Sequence, residues 1–311
     1  MMKKLTWVLT ILVMTIGLLG GCAKNNNEKV ENNKLKVATT IDPLTELTEI
    51  IGGDKVEITT MVSKGSEPHD FEPSTKDLIE LNKSDIFIYN GLELENWIDK
   101  VLETIENKNI EIVNASKGIT PIEYNEENEV ENKHSHEEGH NHGKIDPHVW
   151  LSLKDIQIQA DNIKNALIKK DKENESFYTS NYNKFIKEVN DLYNEYDSKM
   201  NSLSSKDLVT GHAAFGYLCR DFNLNQVSVE DVFGEGEITP QHLKSIVDFC
   251  KENNIKTIFM PELVSPKVSE TLANEVGAKI ESIYSLESNE DGLTYLEAMK
   301  SNLQKIYNNL K

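Results

Sequence analysis

Residues 34–62, KLKVATTIDPLTELTEIIGGDKVEITTMV, begin with a β-rich run, KLKVATT, and end with a second one, KVEITTMV. The stretch between them, IDPLTELTEIIGG, has the apolar spacing of a helix and stops at two glycines. Strands that alternate with helices pair in parallel, because each connection crosses over one face of the sheet. The stretch therefore predicts an α/β fold whose parallel sheet is covered by helices.

The same alternation continues in two blocks. In the first block, the strand patterns SDIFIYNG and IEIVNAS follow the helix patterns STKDLIELNK and LENWIDKVLETIENK. The second block begins at Asp207 and contains four further strand patterns, each followed by a helix pattern. We therefore predict an N-terminal lobe over 34–172 and a C-terminal lobe over 205–311, each with a mainly parallel sheet.

The stretch between the two blocks predicts one long helix. A helical segment starts at Leu153 and breaks near 169–174, and residues 175–203 then contain no proline or glycine. Such a segment would span roughly 40 Å at about 1.5 Å per residue. Because heptads are not sustained, a rigid linking helix over 173–204 is favoured over a coiled-coil partner. Its apolar side chains at helical spacing are Phe177, Phe185, Val189, Leu192, Tyr196 and Met200.

The first residues, MMKKLTWVLTILVMTIGLLGGC, have the pattern of a cleaved leader. Two lysines precede an apolar run that is short for a membrane span and ends in Gly20-Gly21-Cys22. The Leu-Gly-Gly-Cys end resembles a bacterial lipobox, which implies a signal peptide over 1–21, a lipid on Cys22 and a flexible tether over 22–33. An uncleaved anchor is the alternative, and either arrangement places the rest of the chain outside the cytoplasmic membrane.

Composition excludes one class of partner. The chain has 33 basic and 52 acidic residues and a formal net charge of −19, so its surface repels nucleic-acid phosphates. Cys219 and Cys250 lie in helix patterns, where two free buried thiols and a disulfide in an oxidising compartment both stay open. Neither cysteine has a CxxC partner or a nearby histidine, so neither is a candidate metal ligand.

Three histidines share one local setting. His69 in GSEPHDFEPSTKD and His148 in DPHVWLSLKD each precede a serine and an aspartate at the spacing of a helix cap, and His212 ends the strand pattern DLVTGH. All three histidines therefore lie at the carboxyl ends of predicted strands or in loops that lead into helices. In open α/β sheets, ligands bind at the edge formed by these strand ends. A helix N-terminus disfavours the imidazolium cation, and the neutral imidazole is the form that ligates metal. By contrast, His242 lies within a predicted first helical turn, so we interpret it as a surface or structural residue.

A tetrahedral Zn²⁺ site requires a fourth ligand. The predicted last strand, AKIESIYSLE, ends in Glu287, which we favour for this position. A water molecule or Glu67 near His69 is the alternative. Glu281 would compete only if the register of that strand differed.

Four more histidines lie in one polar segment within the predicted loop 123–144. The sequence HSHEEGHNHG contains His134, His136, His140 and His142 and follows the acidic run EYNEENEVEN. Its composition is that of a polar low-complexity loop without flanking strand or helix signals. We interpret it as an auxiliary collector that binds several ions weakly, with a purely solvated loop as the alternative.

Taken in order behind a lipobox, GSEPHDFEPSTKD, DPHVWLS and GHAAFGYL resemble the metal-binding lipoproteins that serve zinc and manganese ABC importers, the cluster A-I solute-binding proteins. The resemblance covers about residues 34–311. It implies two Rossmann-like lobes joined by a backbone helix, with the ion in the cleft. It also implies the ligands His69, His148, His212 and Glu287. The carboxylates of Asp146, Glu72 and Glu67 are then candidates to accept a hydrogen bond from the ring N–H that faces away from the ion, which would orient the imidazole.

Zinc is favoured over manganese as the cargo. Three imidazoles suit Zn²⁺ whereas Mn²⁺ prefers oxygen ligands, and zinc members of the family resemble this chain in having a histidine- and acid-rich loop. The resemblance implies a monomer that captures Zn²⁺ and hands it to a membrane permease while anchored to the lipid bilayer through Cys22. Mildly acid pH should weaken binding, because protonated histidines cannot ligate.

Three other functions are alternatives to zinc import. A zinc hydrolase would keep an open position for water and a general base, and the chain contains neither HExxH nor GxSxG. The enzyme reading is therefore disfavoured. A manganese importer component, and a surface adhesin or zinc buffer without a permease, remain alternatives at this point.

Overall fold

The computed structural model describes residues 34–123, 145–232, 239–261, 266–288 and 291–311. The predicted signal peptide, Cys22, the tether, and the four histidines between 134 and 142 lie outside these residues. Among the described residues, no helix is both long enough and apolar enough to cross a membrane.

The N-terminal part of the chain forms a four-stranded parallel sheet in the order β2-β1-β3-β4. Its strands are β1 (Leu35–Thr39), β2 (Val56–Thr60), β3 (Ile86–Tyr89) and β4 (Glu111–Asn114). The connecting helices are α1 (Asp42–Gly52), α2 (Thr75–Leu81) and α3 (Ile98–Thr104). The central strand β3 is buried at Ile86, Phe87 and Ile88, as expected for a sheet covered on both faces.

The C-terminal part forms a second four-stranded parallel sheet in the order β6-β5-β7-β8. Its strands are β5 (Asp207–His212), β6 (Asn225–Glu230), β7 (Thr257–Pro261) and β8 (Lys279–Ile283). Its helices are α6 (Gly216–Phe222), α7 (Pro240–Glu252), α8 (Pro266–Val276) and α9 (Tyr295–Leu310). The fold class of two parallel α/β sheets is confirmed.

Two helices connect the sheets, α4 (Asp155–Lys170) and α5 (Glu175–Asn201), separated by a 3-10 turn at Lys172–Asn174. The predicted break and the long helix are therefore confirmed. The predicted stripe packs against the core, with Phe177 only partly buried over Gly53, and the fully buried Tyr178 joins it. The Tyr178 hydroxyl donates to Asp171 Oδ2 at 2.6 Å, which anchors the first turn of α5.

The largest apolar cluster runs through both sheets. It includes Val37 and Ile88 of the first sheet, Phe259 of the second, and Tyr196 and Met200 of α5. The lobe boundaries predicted at 172/173 and 204/205 stay a prediction. Cys219 belongs to this cluster and Cys250 to a separate one, and both are free thiols, so the disulfide is not formed.

The carboxyl ends of strands from both sheets border one buried polar cluster. His69 follows β2, His212 is the last residue of β5, and Glu287 follows β8. The prediction that the last strand reaches Glu287 is wrong, since β8 ends at Ile283. The described pairing between β7 and β8 ends with Pro261 opposite Ile283.

Candidate metal centre

His69 is held by the loop between β2 and α2. The Ser74 side chain accepts from the Asp77 backbone and Asp77 accepts from the Ser74 backbone, so the predicted capping box is present at the start of α2. On the same loop, Phe71 packs edge-on against Trp97, with ring centroids 5.9 Å apart. These contacts fix the C-terminal end of the loop, whose histidine is only 6% exposed.

His148 is fully buried in the loop before α4. Asp146 Oδ1 accepts from the His148 backbone N–H at 2.9 Å and lies 2.8 Å from its Nδ1, so the ring presents Nε2 to the cluster. Asn90 donates from Nδ2 to the Pro147 carbonyl at 3.0 Å and holds the loop from below. Asp146 therefore takes the orienting role predicted for it.

The loop also differs from its prediction in one detail. Ser152 Oγ accepts from the Asp155 backbone N–H at 2.9 Å, as a cap would, but the Asp155 carboxylate does not return to Ser152. It accepts instead from Arg220 of α6. Asp155 therefore forms a contact between the two halves of the molecule instead of completing the helix cap.

Helix α6 fastens the C-terminal half to this loop. The Tyr217 hydroxyl donates to the Asp146 carbonyl at 2.6 Å, and Asp221 Oδ2 accepts from Ser152 Oγ at 2.9 Å. Arg220 also donates from Nη1 to the Thr120 carbonyl at 2.8 Å. Because these groups come from three positions on one short helix, the His148 loop is tied to the sheet that carries His212.

His212 and Glu287 come from the C-terminal half. The His212 carbonyl accepts from Thr210 Oγ1 at 2.8 Å, which fixes the end of β5. Glu287 is 4% exposed, and its Oε2 accepts from Ser285 Oγ at 3.0 Å. The loop after β8, rather than the strand itself, delivers this carboxylate.

The three histidines and Glu287 converge on one point. His148 Nε2 lies 3.2 Å from His69 Nε2, 3.2 Å from His212 Nε2 and 3.2 Å from Glu287 Oε1. His212 Nε2 lies 4.0 Å from the same oxygen, and all four ligand atoms lie within 4.8 Å of one another. Four ligands about 2.1 Å from a central Zn²⁺ would be about 3.4 Å apart at the corners of a tetrahedron.

Hydrogen bonding alone does not explain this arrangement. One imidazole nitrogen cannot satisfy three neighbours at once, since it offers a single proton or a single lone pair. Among the described residues, Glu287 Oε1 is one of few buried side-chain atoms without a well-formed hydrogen bond. A cation at the centre would satisfy all four atoms, and three nitrogens with one carboxylate oxygen are a donor set that suits Zn²⁺.

The electrostatics of the cluster separate the histidines. Burial, reinforced by the charge on His148, lowers the pKa of His69 to about 3 and that of His212 to about 4. Burial also opposes charge on His148, but the hydrogen bond to Asp146 and the close carboxylate of Glu287 outweigh it and raise its pKa to about 9. Burial acts to raise the pKa of Glu287, and the close approach and charge of His148 overcome it, so this carboxyl stays ionised.

The other predicted residues fall in different places. Glu67 borders the site, with Oε1 4.0 Å from His69 Nε2, and burial together with the charge of Glu287 raises its pKa to about 7. Glu72 is exposed and forms no hydrogen bond to the three rings among the described residues, so the structure does not support its orienting role. Glu281 lies on β8 outside the four-residue group, and His242 lies in the first turn of α7 with Nε2 3.2 Å from the Val229 carbonyl.

Sequence reasoning missed the residues that support the ligands. Trp150 is fully buried, packs at a tilt against His148 with ring centroids 5.2 Å apart, and donates from Nε1 to the Ser285 carbonyl at 2.9 Å. Tyr217 and Asn90 likewise act through contacts distant in sequence, whereas Ser285 bonds Glu287 two residues away. The available signal was only that Trp150 and Tyr217 stand inside the motifs of His148 and His212.

Gly216→Ala is expected to weaken Zn²⁺ binding by about 10- to 100-fold, the usual cost of disturbing a group behind a metal ligand. A Cβ at Gly216 would lie 2.7 Å from Asp146 Oδ2, so the carboxylate that orients His148 would have to move. Competition against a fluorescent chelator measures the effect.

Gly277→Ala is the matched control for that experiment. Gly277 has φ of +68° and nothing within 4 Å of an added Cβ, so this change strains the backbone without touching the site. If Gly216→Ala and Gly277→Ala lose the same small amount of affinity, Asp146 is not displaced as argued.

The comparison of sequences gives one family and close relatives. The zinc-uptake complex component A family, described as periplasmic, matches residues 37–309. The high-affinity zinc uptake system protein ZnuA of Bacillus subtilis (strain 168) is 33% identical over 309 residues, which cover 98% of this chain and 96% of that protein.

Solved structures agree with the sequence comparison. A ZnuA deletion mutant with zinc bound is 29% identical, with a TM-score of 0.76 over 89% of this chain and 98% of that chain. The laminin-binding protein Lmb of Streptococcus agalactiae, described as bifunctional with adhesin and metal transporting activity, is 31% identical. Its TM-score is 0.79, over 89% of this chain and all of that chain (100%).

Proposed function

Since this chain belongs to the zinc-uptake complex component A family, we propose that it captures Zn²⁺ outside the cytoplasmic membrane and delivers it to the permease of an ABC importer. The observation that carries the proposal is the convergence of His69, His148, His212 and Glu287, all buried, with their ligand atoms within 4.8 Å of one another. These four residues are the proposed ligands, and Zn²⁺ is the transported cargo.

The donor set favours zinc over manganese. Three imidazole nitrogens and one carboxylate oxygen at tetrahedral spacing match Zn²⁺, whereas Mn²⁺ prefers six oxygen-rich ligands. Four protein ligands also close the site against the water that a catalytic zinc would hold. The family is a solute-binding component of metal transporters rather than an enzyme family.

The proposal also includes a lipid anchor at Cys22. Cys22 carries the lipid after removal of residues 1–21, so the protein is held as a monomer at the outer face of the bacterial membrane. The support for this is the lipobox-like Leu-Gly-Gly-Cys sequence, followed by a polar run that can act as a tether. Metabolic labelling with a fatty acid, lost in Cys22→Ala, tests the anchor.

Zinc-limited growth tests the function. In a strain deleted for this gene, the wild-type protein should restore growth under zinc limitation and His69→Ala should not, because His69 is a proposed ligand. His242→Ala is the matched control, since this histidine hydrogen-bonds the Val229 carbonyl outside the site. Growth without the protein equal to growth with it would contradict the importer role.

An additional adhesive role has one specific support. The similar protein Lmb is described as combining adhesin and metal transporting activity. Binding of the purified protein to immobilised laminin, compared between wild type and His69→Ala, tests this second function separately from growth.

Deletion of residues 126–143 is expected to leave the tight Zn²⁺ site intact and to remove only weaker binding. The segment leaves and rejoins the described chain at Glu123 and Ile145, which form an antiparallel bridge, and Asp146 comes directly afterwards. Its four histidines thus begin close to the site in sequence without supplying any of the four converging ligands. Calorimetric titration of both proteins measures the number of ions in each class.

Loss of the tight site in that deletion would show that the histidine-rich segment holds the cargo itself. The zinc-bound structure of a ZnuA deletion mutant supports the expected outcome, because zinc is retained in a shortened relative.

A further inference from the structure

The two oxygens of the Glu287 carboxylate have different surroundings. Oε1 faces the site, 3.2 Å from His148 Nε2, while Oε2 accepts a hydrogen bond from Ser285 Oγ at 3.0 Å. Both residues are 4% exposed, so water does not compete for this bond. One oxygen is therefore free for an ion and the other is occupied by the protein.

The backbone between the two residues forces this contact. Leu286 has φ of +62°, the left-handed region that a branched side chain rarely adopts, and the turn brings Ser285 Oγ back onto Glu287. Such a conformation is strained and persists only where the surroundings hold it.

Two buried side chains supply that hold. Trp150 Nε1 donates to the Ser285 carbonyl at 2.9 Å, from the same loop that carries His148. Asn302 of α9 accepts from the Tyr284 backbone N–H at 2.9 Å and donates to the Tyr284 carbonyl at 2.7 Å. The backbone of Tyr284 and Ser285 is thus held by two side chains, which keeps Ser285 Oγ next to Oε2 of Glu287.

We infer that Ser285 is a specificity-determining residue, which keeps Glu287 a one-oxygen ligand and so holds the site at the four ligands that favour Zn²⁺ over Mn²⁺. The inference rests on the proposed function. A carboxylate that bound through both oxygens would raise the coordination number and add an oxygen donor, and both changes favour Mn²⁺. Ser285 touches the ligand and not the ion, so it acts by positioning.

The test measures selectivity and coordination in the purified full-length protein. Ser285→Ala should lower the ratio of Zn²⁺ to Mn²⁺ affinity by about tenfold or more, the effect of losing one hydrogen bond to a charged group. The affinities come from competition between each metal alone and a fluorescent chelator. With Co²⁺ as the probe, the intense visible bands of a tetrahedral site should weaken in Ser285→Ala as the coordination number rises.

Two other serine variants control for the loop and the hydroxyl. Ser288→Ala changes a serine next to Glu287 on the other side, whose Oγ accepts from the Gly65 backbone N–H at 2.8 Å. Ser285→Thr keeps the hydroxyl. Both should retain the wild-type ratio and the Co²⁺ spectrum.

X-ray absorption of the zinc-loaded wild-type protein gives a second measurement that needs no variant. It should find three nitrogens and one carboxylate oxygen. A bidentate Glu287 in the wild type, or a Zn²⁺ to Mn²⁺ ratio in Ser285→Ala within about twofold of the wild type, would overturn this inference and leave the proposed function standing. A wild-type protein that binds no Zn²⁺ would overturn both.

Discussion

His148→Ala is expected to lower the affinity for Zn²⁺ by about a hundredfold to a thousandfold. Its Nε2 lies 3.2 Å from each of the other three ligand atoms, so this ring is in contact with all the other proposed ligands. Structural zinc sites bind with roughly 10–16 kcal/mol, and a quarter of that is about 2.5–4 kcal/mol, or two to three factors of ten.

The expected loss of Zn²⁺ affinity has a second cause besides the lost bond between His148 and the ion. Asp146 Oδ1 accepts from the His148 ring, and without the imidazole a buried carboxylate loses that partner. Calorimetry in competition with a chelator measures the loss, and circular dichroism checks that the variant folds. His212→Ala should behave similarly, since His212 Nε2 also lies 3.2 Å from His148 Nε2.

The comparison variant is His242→Ala, which removes a histidine from α7 without altering the group. Tight affinity that survived in both His148→Ala and His212→Ala would end the assignment of this cluster as the zinc site.

Zinc affinity is expected to rise about tenfold per pH unit between pH 7 and pH 9, because one proton leaves the protein for each ion bound. The pKa of His148 is raised to about 9 by its carboxylate neighbours, so at neutral pH the ion must displace the proton from this ring. His69 and His212, with pKa values lowered to about 3 and about 4, are already neutral and contribute nothing to the slope.

Below pH 7 the dependence should steepen. The pKa of Glu67 is raised to about 7 by burial and by the charge of Glu287, so its carboxyl takes up a proton there in the metal-free protein. A divalent cation nearby favours the ionised form, so binding releases this proton as well and the slope rises toward two.

The stability of the metal-free protein changes with pH in the opposite direction to its zinc affinity. The folded pKa of His148 lies above its ordinary value of 6.5, so this group stabilises the fold below pH 6.5, and that contribution is lost as the pH rises through about 9. The extra thermal stability conferred by zinc should therefore grow with pH over the same range.

Calorimetry in buffers of different ionisation enthalpy counts the protons released. If the three histidines instead titrated near their ordinary pKa, affinity would be flat above pH 7 and fall with a slope near three below pH 6. That profile would show that His148 does not hold a proton at neutral pH. The expectation that acid weakens binding keeps its sign, and its causes are the proton on His148 and, below pH 7, the proton on Glu67.

Most of the fold could be predicted because its signals are local. Strand β5 was predicted at 207–212 and is found at Asp207–His212, since its apolar run and the turn that follows it are complete within a few residues. The end of β8 could not be predicted in this way. The apolar alternation continues past Ile283, but the Asn302 side chain from the last helix binds both backbone groups of Tyr284.

In the candidate site, too, local sequence predicts some residues and not others. Each of the three histidines has a motif around it, so the sequence predicts them together, and Glu287 follows from the position of the last strand. The groups that orient them act over long separations: Trp150 bonds the Ser285 backbone, and Tyr217 bonds the Asp146 carbonyl. No periodicity or spacing links such residues, so they are visible only once the chain is folded.

The bonds from α6 to the His148 loop have a consequence for how an ion leaves. Moving the two halves apart as rigid bodies would break the Tyr217, Asp221 and Arg220 bonds together. His69 and Glu287, in contrast, lie on loops that are joined by the hydrogen bond from Gly65 N–H to Ser288 Oγ. We therefore expect His148 and His212 to stay in place when an ion leaves and the two loops to move. Substitutions at the α6 bonds should then change the affinity for the ion, and substitutions in the two loops should change the rate of its exchange.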